Sequence, residues 1–203
     1  MVVPTLQLRV PDGRSLDVFL AGPESGTPLV FHIGTPGVGT PFGPFVETLA
    51  ERDLRYVSFS RPGYGSSTRR AGRSVVDVVD DTAAVLDAIG AERCYLLGWS
   101  GGGPHALACA ARLPGAISAA TIGGVAPYPA DGLDWTAGMG AENVEEFGAA
   151  LAGADELIAF KERWAPVMRS ITADQVADNF GDLIDDVDRG SLTGPFAEWM
   201  AAQ

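Results

Sequence analysis

Three apolar runs of strand length, Pro28 to Ile33, Tyr56 to Phe59 and Cys94 to Leu97, each meet a glycine-bearing loop, with helical patterns between them. This alternation constrains the fold more than any other feature. Continuous apolar runs suit strands covered on both faces, and strands alternating with helices imply parallel pairing through right-handed crossovers. The helical patterns are Pro44 to Glu51 and Val75 to Ile89, the latter with Val75, Val78, Val79, Leu86 and Ile89 at helical spacing. Ser74 followed by Asp77 has the form of a capping box, and Gly90 is placed to end that helix. A further strand is predicted around Ile117 to Ile122, after a helix that begins near Gly101. Ahead of all these, Leu6 to Val10 and Leu16 to Leu20 flank the turn Pro11-Asp12-Gly13 and predict a β-hairpin, an antiparallel start to the sheet. From about Pro127 the strand-like runs give way to acidic helical stretches at Glu142 to Leu151, Asp155 to Arg169 and Ala173 to Ile184. The expected organisation is an α/β core over 1–126 and a helical cap over 127–203.

Composition narrows the partners. With 203 residues, 46% of them hydrophobic and 20% charged, the chain can build a substantial core and is too apolar for disorder. A net charge of −12, with Lys161 the only lysine, argues against nucleic acid or an anionic membrane surface, since both require clustered cations. Cys94 and Cys109 lack CxxC spacing and neighbouring histidines, so they read as buried thiols and not as a disulfide or metal ligands. No cofactor or metal is expected. The glycine run Gly101-Gly102-Gly103 has no following lysine of the kind a phosphate-binding loop requires. Without an N-terminal basic-then-apolar stretch or a run of roughly 20 apolar residues, a soluble cytoplasmic protein is expected.

The motif that carries chemistry is Gly98-Trp99-Ser100-Gly101-Gly102, preceded by an apolar strand and followed by the helix-compatible run Pro104 to Leu113. A nucleophile in G-x-S-x-G sits on a tight strand-to-helix turn, where small neighbours permit a strained backbone and expose the hydroxyl. The plain alternative is a tight turn with an inert serine. A second loop weighs against that alternative. Thr35-Pro36-Gly37 follows the strand Pro28 to Ile33, where such a hydrolase needs a second backbone N–H to meet an oxyanion. Ser100 is therefore the candidate nucleophile, the N–H groups of Thr35 and Gly101 are the candidate oxyanion hole, and Trp99 and Gly34 are candidate lining of the substrate pocket.

Ile33-Gly34-Thr35-Pro36-Gly37, Arg61-Pro62-Gly63-Tyr64-Gly65-Ser66 and Gly98-Trp99-Ser100-Gly101-Gly102 together resemble the α/β-hydrolase superfamily, in its order and spacing. The resemblance runs from about Leu6 to Ala126, and the helical remainder is similar to the cap that many members insert after the sixth strand. It implies a doubly wound, mostly parallel sheet of which this chain supplies the first six strands. It also implies hydrolysis of an ester, an amide or a related acyl group, in a proline iminopeptidase-like or carboxylesterase-like layout. Dehalogenases and epoxide hydrolases are disfavoured, because they carry aspartate where this chain has Ser100. One departure is Ile33-Gly34 in place of the usual His-Gly, with His32 one position earlier. It removes the bracing that histidine gives to the oxyanion loop and leaves the backbone donor intact.

A serine hydroxyl needs a base within hydrogen-bond reach, normally a histidine oriented by a carboxylate. Of the two histidines, His32 reads as a loop-bracing or core residue and His105 as a packed helical one. In the family the acid and histidine follow strands seven and eight, and in some members the acid follows strand six. The stretch Gly123 to Ala130 contains no carboxylate, and Asp131 and Asp134 are poor candidates. The expectation is a chain truncated after the cap region, with its acid, histidine and last strands supplied from outside the 203 residues, as a tail or a separate chain. The leading function is a hydrolase acting on a small acyl substrate through a serine acyl-enzyme. A non-catalytic ligand-binding remnant, a C–C hydrolase and a perhydrolase are the alternatives, and homo-oligomer formation stays open. In the cap, Trp135, Met139, Phe147, Trp164, Met168 and Trp199 read first as packing residues. Its carboxylates Glu142, Glu145, Glu146, Asp185, Asp186 and Asp188 read as a solvated face, with attraction of a cationic substrate as the alternative.

Overall fold

The computed structural model describes residues 3–124, 128–180 and 184–203. Two strands, β1 (Leu6–Arg9) and β2 (Ser15–Ala21), form the hairpin that the alternating pattern predicts, with Leu8 paired to Leu16. The remaining strands are β3 (Thr27–His32), β4 (Leu54–Phe59), β5 (Cys94–Trp99) and β6 (Ala116–Ile122). Together they form one sheet in the order β1-β2-β4-β3-β5-β6, antiparallel at β1-β2-β4 and parallel from β4 to β6. The helices α1 (Gly43–Ala50), α2 (Val78–Ala88) and α3 (Gly103–Arg112) link the parallel strands.

The predicted helix Val75 to Ile89 begins as a 3-10 turn, Val75–Asp77, before α2. Ser74 and Asp77 cap that turn reciprocally, which satisfies N–H groups that would otherwise be orphaned. Gly90, at φ +67°, takes the left-handed turn that closes α2. The core is built from Val18, Val30, Val57, Val85, Leu86, Leu96, Ala106 and Cys109, all nearly inaccessible. Cys94 and Cys109 are both free and buried, and burial pushes their thiols up to about 11, so they behave as small apolar residues. One buried ion pair joins the hairpin to α2, where the Arg14 guanidinium meets Asp81 at 2.6 Å and also reaches Asp12 at 2.7 Å.

The strand β6 departs from its apolar pattern. Ser118, Ala119 and Ala120 are exposed and Ile122 keeps 60% of its surface accessible, although β3 and β4 are largely buried. A sheet-edge strand has one neighbour only, and among the described residues β6 pairs with β5 alone.

Contacts divide the chain into two compact units, residues 1–127 with Gln203, and residues 128–202. The expected boundary at 126/127 lies outside the described residues. The second unit contains α4 (Ala141–Ala152), α5 (Ala154–Ser170), α6 (Val176–Asn179), α7 (Asp186–Ser191) and α8 (Gly194–Ala201). The helical stretch expected over Ala173 to Ile184 is realised as a 3-10 turn, Ala173–Gln175, leading into α6; residues 181–183 lie outside the described residues. Two short helices, α7 and α8, have no counterpart in the sequence reading. The Asp185 carboxylate starts α7 by accepting from the N–H groups of Val187 and Asp188. Glu145 and Glu146 bridge α4 to α5 through Arg163 and Lys161. Trp135 packs edge-on against Phe147, with ring centres 4.5 Å apart, as a packing aromatic does.

Candidate active site

Adjacent parallel strands bring two loops to the same end of the sheet. His32 on β3 is level with Gly98 on β5, so two further residues along each strand place Gly34 opposite Ser100. The fit is close: a Cβ built on Gly34 would lie 3.1 Å from Ser100 Cβ and 3.4 Å from its Oγ. Between β3 and β5 the chain also changes its direction of winding, since β4 lies on one side of β3 and β5 on the other. Open α/β sheets form their ligand crevices outside the strand ends at this switch point.

Ser100 has φ +52°, the left-handed region that side chains rarely occupy, and it opens a 3-10 turn, Ser100–Gly102, that runs directly into α3. Two positive-φ glycines, Gly123 and Gly124, end β6 beside it, and a Cβ on Gly124 would come within 2.1 Å of the Ser100 carbonyl. Thr35 approaches from the other loop. A Cβ on Gly101 would stand 3.4 Å from the Thr35 nitrogen and 3.0 Å from its Oγ1. Ser100, Gly101, Gly34 and Thr35 therefore meet at one point, while Trp99 occupies the last position of β5 and is half-buried.

Side chains from β4 and its C-terminal end hold the β3 strand end and the loop that follows it. The hydroxyl of Ser58 donates to Phe31 O at 2.7 Å, Ser60 to Val38 O at 2.7 Å, and Tyr56 to Gly39 O at 2.9 Å. The guanidinium of Arg61 donates to Ile33 O, to Gly34 O at 3.0 Å and to Thr35 Oγ1 at 3.3 Å. Sequence reasoning placed Arg61 in a motif and assigned it no role. Its signal was position, one residue beyond Ser60 at the end of a strand destined to lie beside β3. Burial presses its pKa down from the ordinary value, yet a guanidinium remains charged at any physiological pH.

Both histidines lie in the wall behind this loop. Their rings stack with centres 6.5 Å apart, and both are buried. The Nδ1 of His105 is 2.9 Å from Gly101 O; a carbonyl only accepts, so Nδ1 carries the proton and Nε2, buried without a partner, is bare. Among the described residues no hydrogen bond joins either ring to Ser100. Burial, then the neighbouring His105 and Arg61, lowers His32 to about 3; burial, then Arg61, lowers His105 to about 4 against the pull of the Gly101 carbonyl. Both rings stay neutral in the folded protein where unfolded histidines would protonate. Unfolding then takes up protons below about pH 6.5, so stability falls as pH drops from there towards 4 and is unaffected by these groups above it. Replacing His105 by glutamine is expected to flatten stability against pH by about 1 kcal/mol per pH unit in that window, measured by urea denaturation at pH 5.0 to 7.5.

Among the described residues no helix is long and apolar enough to cross a membrane, and no cluster of histidine, cysteine and carboxylate side chains could hold a metal. Comparison with known proteins places the chain. It is similar to the uncharacterized hydrolase YcgS of Bacillus subtilis, 30% identical over 112 residues, which are 55% of this chain and 38% of that one. An esterase from Exiguobacterium antarcticum is similar in structure, with a TM-score of 0.50 and 25% identity over 57% of this chain and 43% of that chain. An epoxide hydrolase from Vigna radiata shares the fold at 19% identity and a TM-score of 0.50, over 57% of this chain and 37% of that one. The chain thus spans about two fifths of the length of the relatives it matches. A model of the alpha/beta hydrolase fold matches residues 27–175, which include both loops, the serine turn and the parallel strands that carry them, and the chain belongs to that family.

Proposed function

We propose that this chain carries the nucleophile and oxyanion hole of a serine hydrolase that cleaves a small ester or amide. The observation that supports this most is the left-handed Ser100 at the strand-to-helix turn, with Thr35 and Gly101 beside it. Ser100 Oγ would attack the acyl carbon while its proton passes to a base. The oxyanion would take hydrogen bonds from the N–H groups of Thr35 and Gly101, at the start of the helical turn whose dipole favours negative charge. Collapse expels the alcohol or amine with the proton returned by the base, and water then releases the acid and frees Ser100. Trp99 and Gly34 would line the acyl pocket.

The base and its acid come, on this reading, from outside the 203 residues. Among the described residues neither His105 nor His32 makes a hydrogen bond to Ser100, and both rings are buried, so neither is disposed to take the Ser100 proton. The exposed edge of β6 offers unpaired backbone groups to a further strand, which would complete the sheet and bring the missing partners close. The test is intact-mass spectrometry of the protein as its gene encodes it, before and after a fluorophosphonate probe. One adduct, mapped to the Ser100 peptide, is expected. A folded protein that takes up no probe would sink the acyl-enzyme reading and leave the non-catalytic ligand-binding one.

A further inference from the structure

Resting on that reading, we propose that Arg61 is the positioning residue that fixes the Gly34–Thr35 peptide so that the Thr35 N–H faces the reacting oxygen. The Gly34–Thr35 bond is trans, so the Gly34 carbonyl and the Thr35 N–H point in opposite directions. The Arg61 guanidinium binds that carbonyl at 3.0 Å and the Ile33 carbonyl before it. The Thr35 N–H is thereby turned away from Arg61, and Gly101, beside Ser100, is close to the Thr35 nitrogen, since a Cβ on it would stand 3.4 Å from that atom. Arg61 also reaches Thr35 Oγ1, which holds the residue from a second point.

A purely structural role does not account for this arginine. It is 2% exposed, it forms no ion pair with a carboxylate among the described residues, and its Nε has no partner. The Tyr64 ring lies 5.4 Å from the guanidinium carbon. Burying an uncompensated cation is costly, and an apolar side chain of similar size is often better for stability alone. What a guanidinium supplies here is a planar fork able to hold two successive carbonyls at once, which a lysine ammonium does not match. Ser58, Ser60 and Tyr56 hold Phe31, Val38 and Gly39 on either side of this peptide, and the Arg61 fork holds Ile33 and Gly34 between them.

The test uses the protein as encoded, with Arg61→Met and Arg61→Lys variants assayed on a nitrophenyl ester and with a boronic acid that mimics the oxyanion once added to a serine. Removing a whole oxyanion donor costs about 100- to 1,000-fold in turnover, so a misdirected donor should cost about 10- to 100-fold in kcat. KM should stay within about threefold, boronate affinity should fall in step with kcat, and the lysine variant should lie between, since substrate binding itself is left intact. Arg61→Lys decides the matter if Arg61→Met does not fold. A folded variant with kcat within twofold of the parent, or a loss carried by KM, overturns the proposal. So does a crystal structure of either variant with the Gly34 carbonyl unmoved, a reading that needs no turnover at all. A parent protein whose turnover survives Ser100→Ala refutes the hydrolase reading instead, and the crystal structure then still decides the role of Arg61.

Discussion

Ser100→Ala in the protein as encoded is expected to abolish fluorophosphonate labelling and to lower ester turnover by on the order of 10⁵-fold, with ground-state substrate binding nearly unchanged. Losing a nucleophile removes the covalent route altogether, and what survives is the acceleration owed to the oxyanion hole and to binding. The same position carries a stability signature of its strained backbone. At φ +52° an L residue is strained by about 1–2 kcal/mol, a cost that alanine keeps and glycine does not. Ser100→Gly should therefore be as inactive as Ser100→Ala yet more stable than it by about 1 kcal/mol, read from urea midpoints of the two variants. Equal stability of the two would mean that the turn is relaxed.

Local chemistry was legible in the sequence wherever one segment decides its own conformation. The hairpin at Pro11-Asp12-Gly13, the Ser74–Asp77 cap and the glycine stop at Gly90 each follow from a few adjacent residues, and each is found. The elbow at Ser100 is of the same kind, because Gly98, Gly101 and Gly102 around a serine at a strand end permit a tight turn that residues with a Cβ would obstruct. The strand order was less accessible. Insertion of β4 between β2 and β3 depends on contacts between segments tens of residues apart, and the bracing by Tyr56, Ser58, Ser60 and Arg61 exists only once β4 lies there. The exposure of β6, by contrast, was legible: an apolar run specifies a strand that prefers cover, and a sheet of which these residues supply the first six strands leaves the sixth as an apolar edge.

Gly102→Ala should be among the most damaging single substitutions in the chain, because the new methyl would meet backbone and not a movable side chain. Its Cβ would lie 1.8 Å from the His32 carbonyl oxygen and 2.8 Å from that of Ile33, well inside van der Waals contact. Relief requires the start of α3 to move bodily away from the end of β3. That movement would open the packing of Ala106 and Cys109 beneath, both fully buried, and would separate Ser100 from Gly34 and Thr35. Overpacking of a tight core costs about 1–3 kcal/mol where side chains can shift, and the backbone contact here places the expected loss at about 3 kcal/mol or more. A marginally stable domain tolerates little beyond that, so poor soluble yield or a sharply lowered denaturation midpoint is the expected result. The matched control is Gly148→Ala in α4, where a Cβ meets nothing within 4 Å; helix propensity alone should make that change stabilising by about 1 kcal/mol. Retained stability in Gly102→Ala would mean that α3 and β3 stand further apart than drawn, and the meeting of Ser100 with the Gly34–Thr35 loop would go with it.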